Sequence, residues 1–140
     1  MSKYYLAYGS NLNLVHINNL CPCIKKVGSM MLQGYELEFK KYLTIKENKE
    51  SSIPVGIFEV NDYEEKRIDR YESYPVLYRK ENILININGV PSYGFIYIMN
   101  ENTYDITPPS NDYLQRVIKG YSDFGFNQKY IIDALNKTYK

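Results

Sequence analysis

One carboxylate, Glu72, and one turn, Gly9 to Asn11, are the places in this chain where a few residues could do chemistry. Glu72 stands four residues after Ile68 and three before Pro75. If the helix that carries Ile68 runs that far, this spacing turns the carboxylate toward the helix's apolar side. Desolvation there raises a carboxyl pKa, which suits a group that takes up and returns a proton near neutrality. The turn follows a short aromatic and apolar run, Lys3 to Tyr8, and precedes apolar residues at helical spacing. A strand that turns through Gly-Ser-Asn into a helix start points several backbone N–H groups at one spot, where a carboxylate or a developing oxyanion can sit. The same turn also serves as a plain helix cap, and a glutamate in a helix tail faces solvent in most proteins. Neither feature alone assigns an activity.

Other chemistries find little support. There is no GxxxxGK[ST] and no GxGxxG, so a phosphate or dinucleotide loop is not expected. Cys21 and Cys23 flank a single proline and are poorly placed for a disulfide or a metal site. His16, the only histidine, falls mid-helix without a G-x-S-x-G context. All three are expected to be structural, and the chain is expected to need neither metal nor cofactor. One carboxylate plus oxyanion donors can still shuttle protons in an acyl transfer whose nucleophile belongs to the substrate.

The net charge is +1, with basic and acidic residues dispersed, which argues against nucleic acid as a partner, since that needs a concentrated basic face. The 16 tyrosines alternate with aliphatic residues in strand-like runs, so core and pocket walls are their expected use rather than base stacking. No run approaches the roughly 20 apolar residues of a membrane span, and the N-terminus lacks a signal-peptide apolar region. A cytoplasmic protein with no membrane partner is expected, and a homodimer is left open. Abundant Asn, Ile, Lys and Tyr with no Trp points to an AT-rich, bacterial genome.

The elements that must position Glu72 and the turn follow from periodicity. Lys3 to Tyr8 is predicted as a central strand, and Leu12 to Leu20 as a short helix. Ile24 to Leu32 and Tyr35 to Ile45 are predicted strands joined at Gln33-Gly34, with Glu47 to Ser52 an exposed loop and Ile53 to Val60 a further strand. Asn61 and Glu64 have the spacing of a capping box and open the helix that leads to Glu72. Asn88-Gly89 between apolar runs predicts a hairpin of Val76 to Asn88 with Val90 to Met99. Ser110 caps a helix with Tyr113, Val117 and Tyr121 on one face, and Asn127 starts a last helix. The 140 residues suit one α+β domain, spanning 1–140. Its mixed, largely antiparallel sheet is expected to curl into a small barrel, with short helices flanking it.

The tyrosine-rich strand ending in YGSN, followed by DRYESYPVLYR, resembles the γ-glutamylcyclotransferase family, which includes a γ-glutamylamine branch. In that family the first strand and turn supply the substrate loop, matched here by Tyr5, Leu6, Ala7, Tyr8, Gly9, Ser10, Asn11 and Leu12. The catalytic glutamate of an LDxYEGxP-like segment is matched by Glu72, with Ser73 where glycine is frequent. A tyrosine after a PPS segment is matched by Tyr113, and Tyr78 is an additional pocket wall. The segment from Glu72 to Arg79 looks more like the γ-glutamylamine branch, whereas YGSN and the Tyr113 segment do not.

The resemblance implies an intramolecular aminolysis. The α-amine of a γ-glutamyl group attacks its own γ-carbonyl and releases 5-oxoproline and an amine, with Glu72 as general acid/base and no cofactor. Two alternatives stay open: a non-catalytic small-molecule binding module, and a cyclotransferase that deprotects γ-glutamylamines or antibiotic intermediates. If no metal takes part, exhaustive treatment with a chelator leaves turnover unchanged. Loss of turnover that one added metal restores would reveal a site that the motifs do not.

Overall fold

The computed structural model describes residues 3–139. Strand β1 (Lys3–Ala7) leads into a 3-10 turn (Ser10–Leu12) and helix α1 (Leu14–Leu20). Two long strands follow, β2 (Lys25–Lys40) and β3 (Tyr42–Val60), then helix α2 (Asp62–Tyr71). The hairpin of β4 (Tyr78–Ile87) and β5 (Val90–Met99) precedes helices α3 (Asn111–Asp123) and α4 (Lys129–Asn136). The strands form a five-stranded sheet in the order β2-β3-β1-β5-β4. β1 lies at the centre, antiparallel to β3 and parallel to β5.

The α+β class, the mixed sheet and the central first strand follow the expectation. Closure does not: the sheet curls but stays open, with β2 and β4 as its two edges. The second difference is at Gln33-Gly34. Gly34, at φ 90°, marks a bulge within one continuous strand rather than the end of it. The chain reverses instead at Lys41, φ 71°. The segment expected as an exposed loop, Glu47 to Ser52, is therefore part of β3. The strand runs on into it because residues 42–46 are held by cross-strand contacts that periodicity along one strand does not reveal. Leu37 faces Ile45, Phe39 faces Leu43, and Lys46 lies 3.2 Å from Glu36 and 3.4 Å from Glu38. Gln33 pairs with Ser52 and Tyr35 with Glu47, so residues 48–51 bulge out beside Gly34.

Local signals are otherwise met. The Asn61 side chain accepts from the Glu64 N–H at 2.8 Å, and the Glu64 carboxylate accepts from the Asn61 N–H at 3.0 Å. Asn88 and Gly89, at φ 51° and 83°, make the tight turn of the β4–β5 hairpin, where both central residues need positive φ. Ser110 caps α3, whose Val117 and Tyr121 are fully buried. The cap of α1 is Asn13, accepting from the His16 N–H at 3.0 Å, not Ser10 or Asn11. The last helix starts two residues later than expected, at Lys129.

Two contacts hold the candidate residues in place. Helix α2 is tied to the hairpin by Lys80, which lies 2.6 Å from Glu65 and 2.9 Å from Asp69, and by Tyr97 Oη donating to Asp69 at 2.5 Å. Helix α3 presses onto the 3-10 turn at Gly120, where a Cβ would meet Asn13 N at 2.7 Å and Leu12 Cβ at 2.8 Å. Only a residue without a side chain permits that approach. Gly120→Val is expected to lower the free energy of unfolding by about 1–3 kcal/mol, the usual cost of overpacking. Urea denaturation measures it, and an unchanged midpoint would mean that α3 and the turn can separate freely.

Candidate active site

The end of α2 and the 3-10 turn meet at two hydrogen bonds, one shared between Ser10 Oγ and Tyr71 Oη at 3.0 Å and the other from Asn11 Nδ2 to Glu72 Oε1 at 3.2 Å. The same amide nitrogen donates to Tyr5 Oη at 2.9 Å. Tyr5 is in turn fixed by stacking on Phe95, centroid distance 5.5 Å, and by an edge contact with Tyr97 at 5.6 Å. Glu72 is the C-cap of α2, and the chain leaves the helix through Ser73 at φ 52°. That left-handed conformation explains why glycine suits this position in the resembling family.

The residue Glu72 keeps partial exposure at a cleft wall, but its carboxyl end is enclosed. Burial pushes its pKa up to about 8. The Asn11 carbonyl oxygen is buried with no hydrogen-bond partner among the described residues. Around this pair stand tyrosines whose burial pushes their own pKa values well up, so that they stay protonated. Tyr8 Oη donates to Tyr97 O at 2.7 Å, and Tyr78 Oη donates to Leu43 O at 2.8 Å. Tyr113 Oη accepts from the Leu43 N–H at 3.1 Å. One residue of β3, Leu43, is thus clasped at its N–H and its carbonyl by two tyrosines from different elements. Tyr8 and Tyr78 spend their protons on backbone and keep oxygen lone pairs, so the enclosure is rich in acceptors.

Two connected spaces open on Glu72. An inner cavity of about 20 Å³ is lined by Tyr5, Leu6, Tyr8, Gly9, Ser10, Asn11, Glu72, Tyr78 and Tyr113, with Leu43 and Tyr97. That volume holds one water-sized group. An outer cleft of about 360 Å³ shares Ser10, Glu72, Tyr78 and Tyr113 with it, and adds Tyr42, Tyr71, Ser73 and Arg116 among others. A cleft of that size takes a small ligand.

Nine of the residues singled out in the sequence therefore come together; Ala7 and Leu12 do not line either space. Ala7 is buried in the β1–β3 ladder opposite Gly56, and Leu12 packs where a Cβ on Gly56 or Gly120 would clash. The Leu12 N–H is also not free, since it donates to Gly9 O at 3.0 Å. The Gly9, Ser10 and Asn11 N–H groups precede the first bonded residue of the turn and have no partner within it. Gly9 itself sits at φ −129°, so positive φ is not what requires glycine there.

Sequence reasoning missed Arg116, Tyr71, Tyr97, Tyr42 and Leu43. Arg116 lies three residues beyond Tyr113 on α3, a spacing that shares a helix face and could have found it. Tyr71 precedes Glu72 within the quoted motif. Tyr97 falls within the predicted strand Val90 to Met99 with nothing to single it out, and Tyr42 and Leu43 depend on the reversal at Lys41, which left no signal. His16 also lies closer to the site than expected, its ring 4.7 Å from that of Tyr71.

The family model described as gamma-glutamyl cyclotransferase, AIG2-like matches residues 5–115, and the chain belongs to that family. No curated protein matches the sequence significantly. Among solved structures, one described as a gamma-glutamyl cyclotransferase aligns with TM-score 0.80 and 20% identity, over 99% of this chain and 87% of its own. The uncharacterized protein loc79017 from Homo sapiens aligns with TM-score 0.80 and 21% identity, over 99% and 86%. An AIG2-like protein from Mus musculus aligns with TM-score 0.61 and 15% identity, over 81% and 82%. At these identities they show a shared fold. Among the described residues no helix is long and apolar enough to cross a membrane, and no group of three or more His, Cys, Asp or Glu could hold a metal ion.

A carboxyl whose pKa is raised on folding favours the folded state most below its unfolded value near 4.5, and that advantage is lost as pH rises through about 8. Glu72→Gln should therefore match the parent's stability near pH 4.5 and exceed it increasingly up to pH 8–9, by on the order of 3–5 kcal/mol. Denaturation curves across that range measure the difference. A gap that does not change with pH would show that the carboxyl is not desolvated.

Proposed function

We propose that this chain is a cofactor-independent γ-glutamyl cyclotransferase, in which Glu72 moves the protons of an intramolecular aminolysis. The observation that carries this is the enclosed Glu72 carboxyl beside the unpartnered Asn11 side-chain carbonyl, two acceptors at a space that admits one small group. An ammonium fits such a space better than an anion does.

The substrate's α-ammonium enters the inner cavity, and its proximity favours the ionised carboxylate of Glu72. Glu72 takes a proton, and the neutral amine attacks the γ-carbonyl carbon of the same molecule. Nucleophile and electrophile are already tethered, so the enclosure has only to hold the curled conformer. Charge develops on the γ-oxygen, for which the free N–H groups of Gly9, Ser10 and Asn11 are the available donors. The carbon–nitrogen bond to the leaving amine then breaks. The two protons lost by the α-nitrogen end on the leaving nitrogen, relayed through Glu72. 5-Oxoproline and a protonated amine leave by the outer cleft. The rings of Tyr8, Tyr78 and Tyr113 exclude water and wall the curled conformer, which is their role rather than proton transfer.

The test is a panel of γ-glutamyl compounds assayed for 5-oxoproline. Glu72→Gln keeps shape and hydrogen bonding but cannot accept the ammonium proton, so turnover should fall ~10²- to 10⁴-fold, while 5-oxoproline still binds. Glu65, on the helix start and paired with Lys3 and Lys80, should tolerate the same change catalytically. Near-normal turnover by Glu72→Gln would sink the assignment, and a panel with no 5-oxoproline would favour a binding module.

A further inference from the structure

Among the described residues, Arg116 is a cation with no counter-ion. Its Nη1 donates to Tyr71 Oη at 3.2 Å, and Tyr71 Oη shares a hydrogen bond with Ser10 Oγ at 3.0 Å. Among the described residues it forms no ion pair, although Asp112, one turn earlier on α3, lines the same cleft. Glu72 is not its hidden partner: burial alone accounts for that carboxyl's upward shift. Nor does a second cation compete with it, because burial and then the Arg116 charge hold His16 down at about 4, leaving the imidazole neutral. A half-buried guanidinium that meets only neutral hydroxyls is under-satisfied, and a carboxylate is the group that its planar fork fits best.

Position decides which carboxylate. Arg116 lines the outer cleft but not the inner cavity, whereas the Gly9 to Asn11 turn lines the inner one. A γ-glutamyl group whose α-nitrogen reaches Glu72 keeps its α-carboxylate one carbon away from that nitrogen, at the inner end of the site. The amine on the γ-carbon has only the outer cleft to occupy. We propose that Arg116 recognises a carboxylate on the leaving amine, so that the preferred substrates are γ-glutamyl amino acids rather than γ-glutamyl derivatives of simple amines. This rests on the cyclotransferase function and names its substrate class.

γ-Glutamyl-alanine and γ-glutamyl-ethylamide differ only by that carboxylate. The parent enzyme should prefer the alanine compound in kcat/KM by about 10- to 100-fold, the usual worth of a hydrogen bond to a charged group. Arg116→Met should bring the ratio close to one, and Arg116→Lys should keep part of the preference. Arg116→Gln replaces the Met variant if thermal melts show that Met unfolds the chain. Calorimetric binding of both compounds to Glu72→Gln, with and without the Arg116 change, reads the same preference without turnover. Equal use of both compounds by the parent, or an equal fall for both in the Arg116 variants, would overturn the proposal. Tight binding of γ-glutamyl-alanine that depends on Arg116, with no 5-oxoproline from either compound, would uphold the carboxylate site and overturn the cyclotransferase function instead.

Discussion

A carboxyl group withdrawn from water either finds partners, loses its charge or destabilises the protein that holds it. Glu72 is in that position, and much of the surrounding structure follows from it. Its one amide partner, Asn11, cannot neutralise it, so burial raises its pKa instead. The helix end that carries it needs a rigid mount, and Lys80, Glu65, Asp69 and Tyr97 supply one. Those ion pairs are half-buried and linked into a network, the setting in which such contacts hold geometry better than isolated surface pairs do.

The tyrosines serve fold and site with the same atoms. Tyr113 and Tyr78 hold the N–H and the carbonyl of Leu43, which joins α3 and β4 to β3 and also forms the shared wall of the two spaces. Phenylalanine in their place would keep the packing and leave a buried backbone group unpaired, at the cost that such groups carry. Part of the richness in tyrosine thus serves packing and backbone together: the rings of Tyr8, Tyr78 and Tyr121 are buried and their hydroxyls donate to backbone carbonyls. Tyr63, Tyr93 and Tyr139 are exposed instead.

The path from α3 to the turn shows how a remote contact sets local chemistry. Gly120 lets the helix approach until Leu12 and Asn13 are in contact with it. Arg116 and Tyr113, one and two turns earlier on that helix, then stand over the opening to Glu72. A bulkier residue at Gly120 would move both without touching either.

The sequence by itself determined the local pieces, because each is decided by residues a few positions apart. The capping box at Asn61 and Glu64, the Asn88-Gly89 hairpin and the Ser110 cap all appear where spacing put them. Glu72 and the YGSN turn were legible for the same reason, helped by a family resemblance. Tertiary structure alone decided the rest. Whether Gly34 ends a strand or bulges within it depends on what lies opposite, and the cross-strand pairs of Leu37 with Ile45 and Phe39 with Leu43 kept the strand going to Lys41. The open edge between β2 and β4 is a property of the whole sheet, which no window contains. Arg116 acquired meaning only when α3 docked on the turn, since a charge on a helix face is solvated until packing encloses it. Ala7 and Leu12 fall outside both spaces for the converse reason: neighbours in sequence on a curled strand and tight turn point to different sides, and only one side faces the cavity.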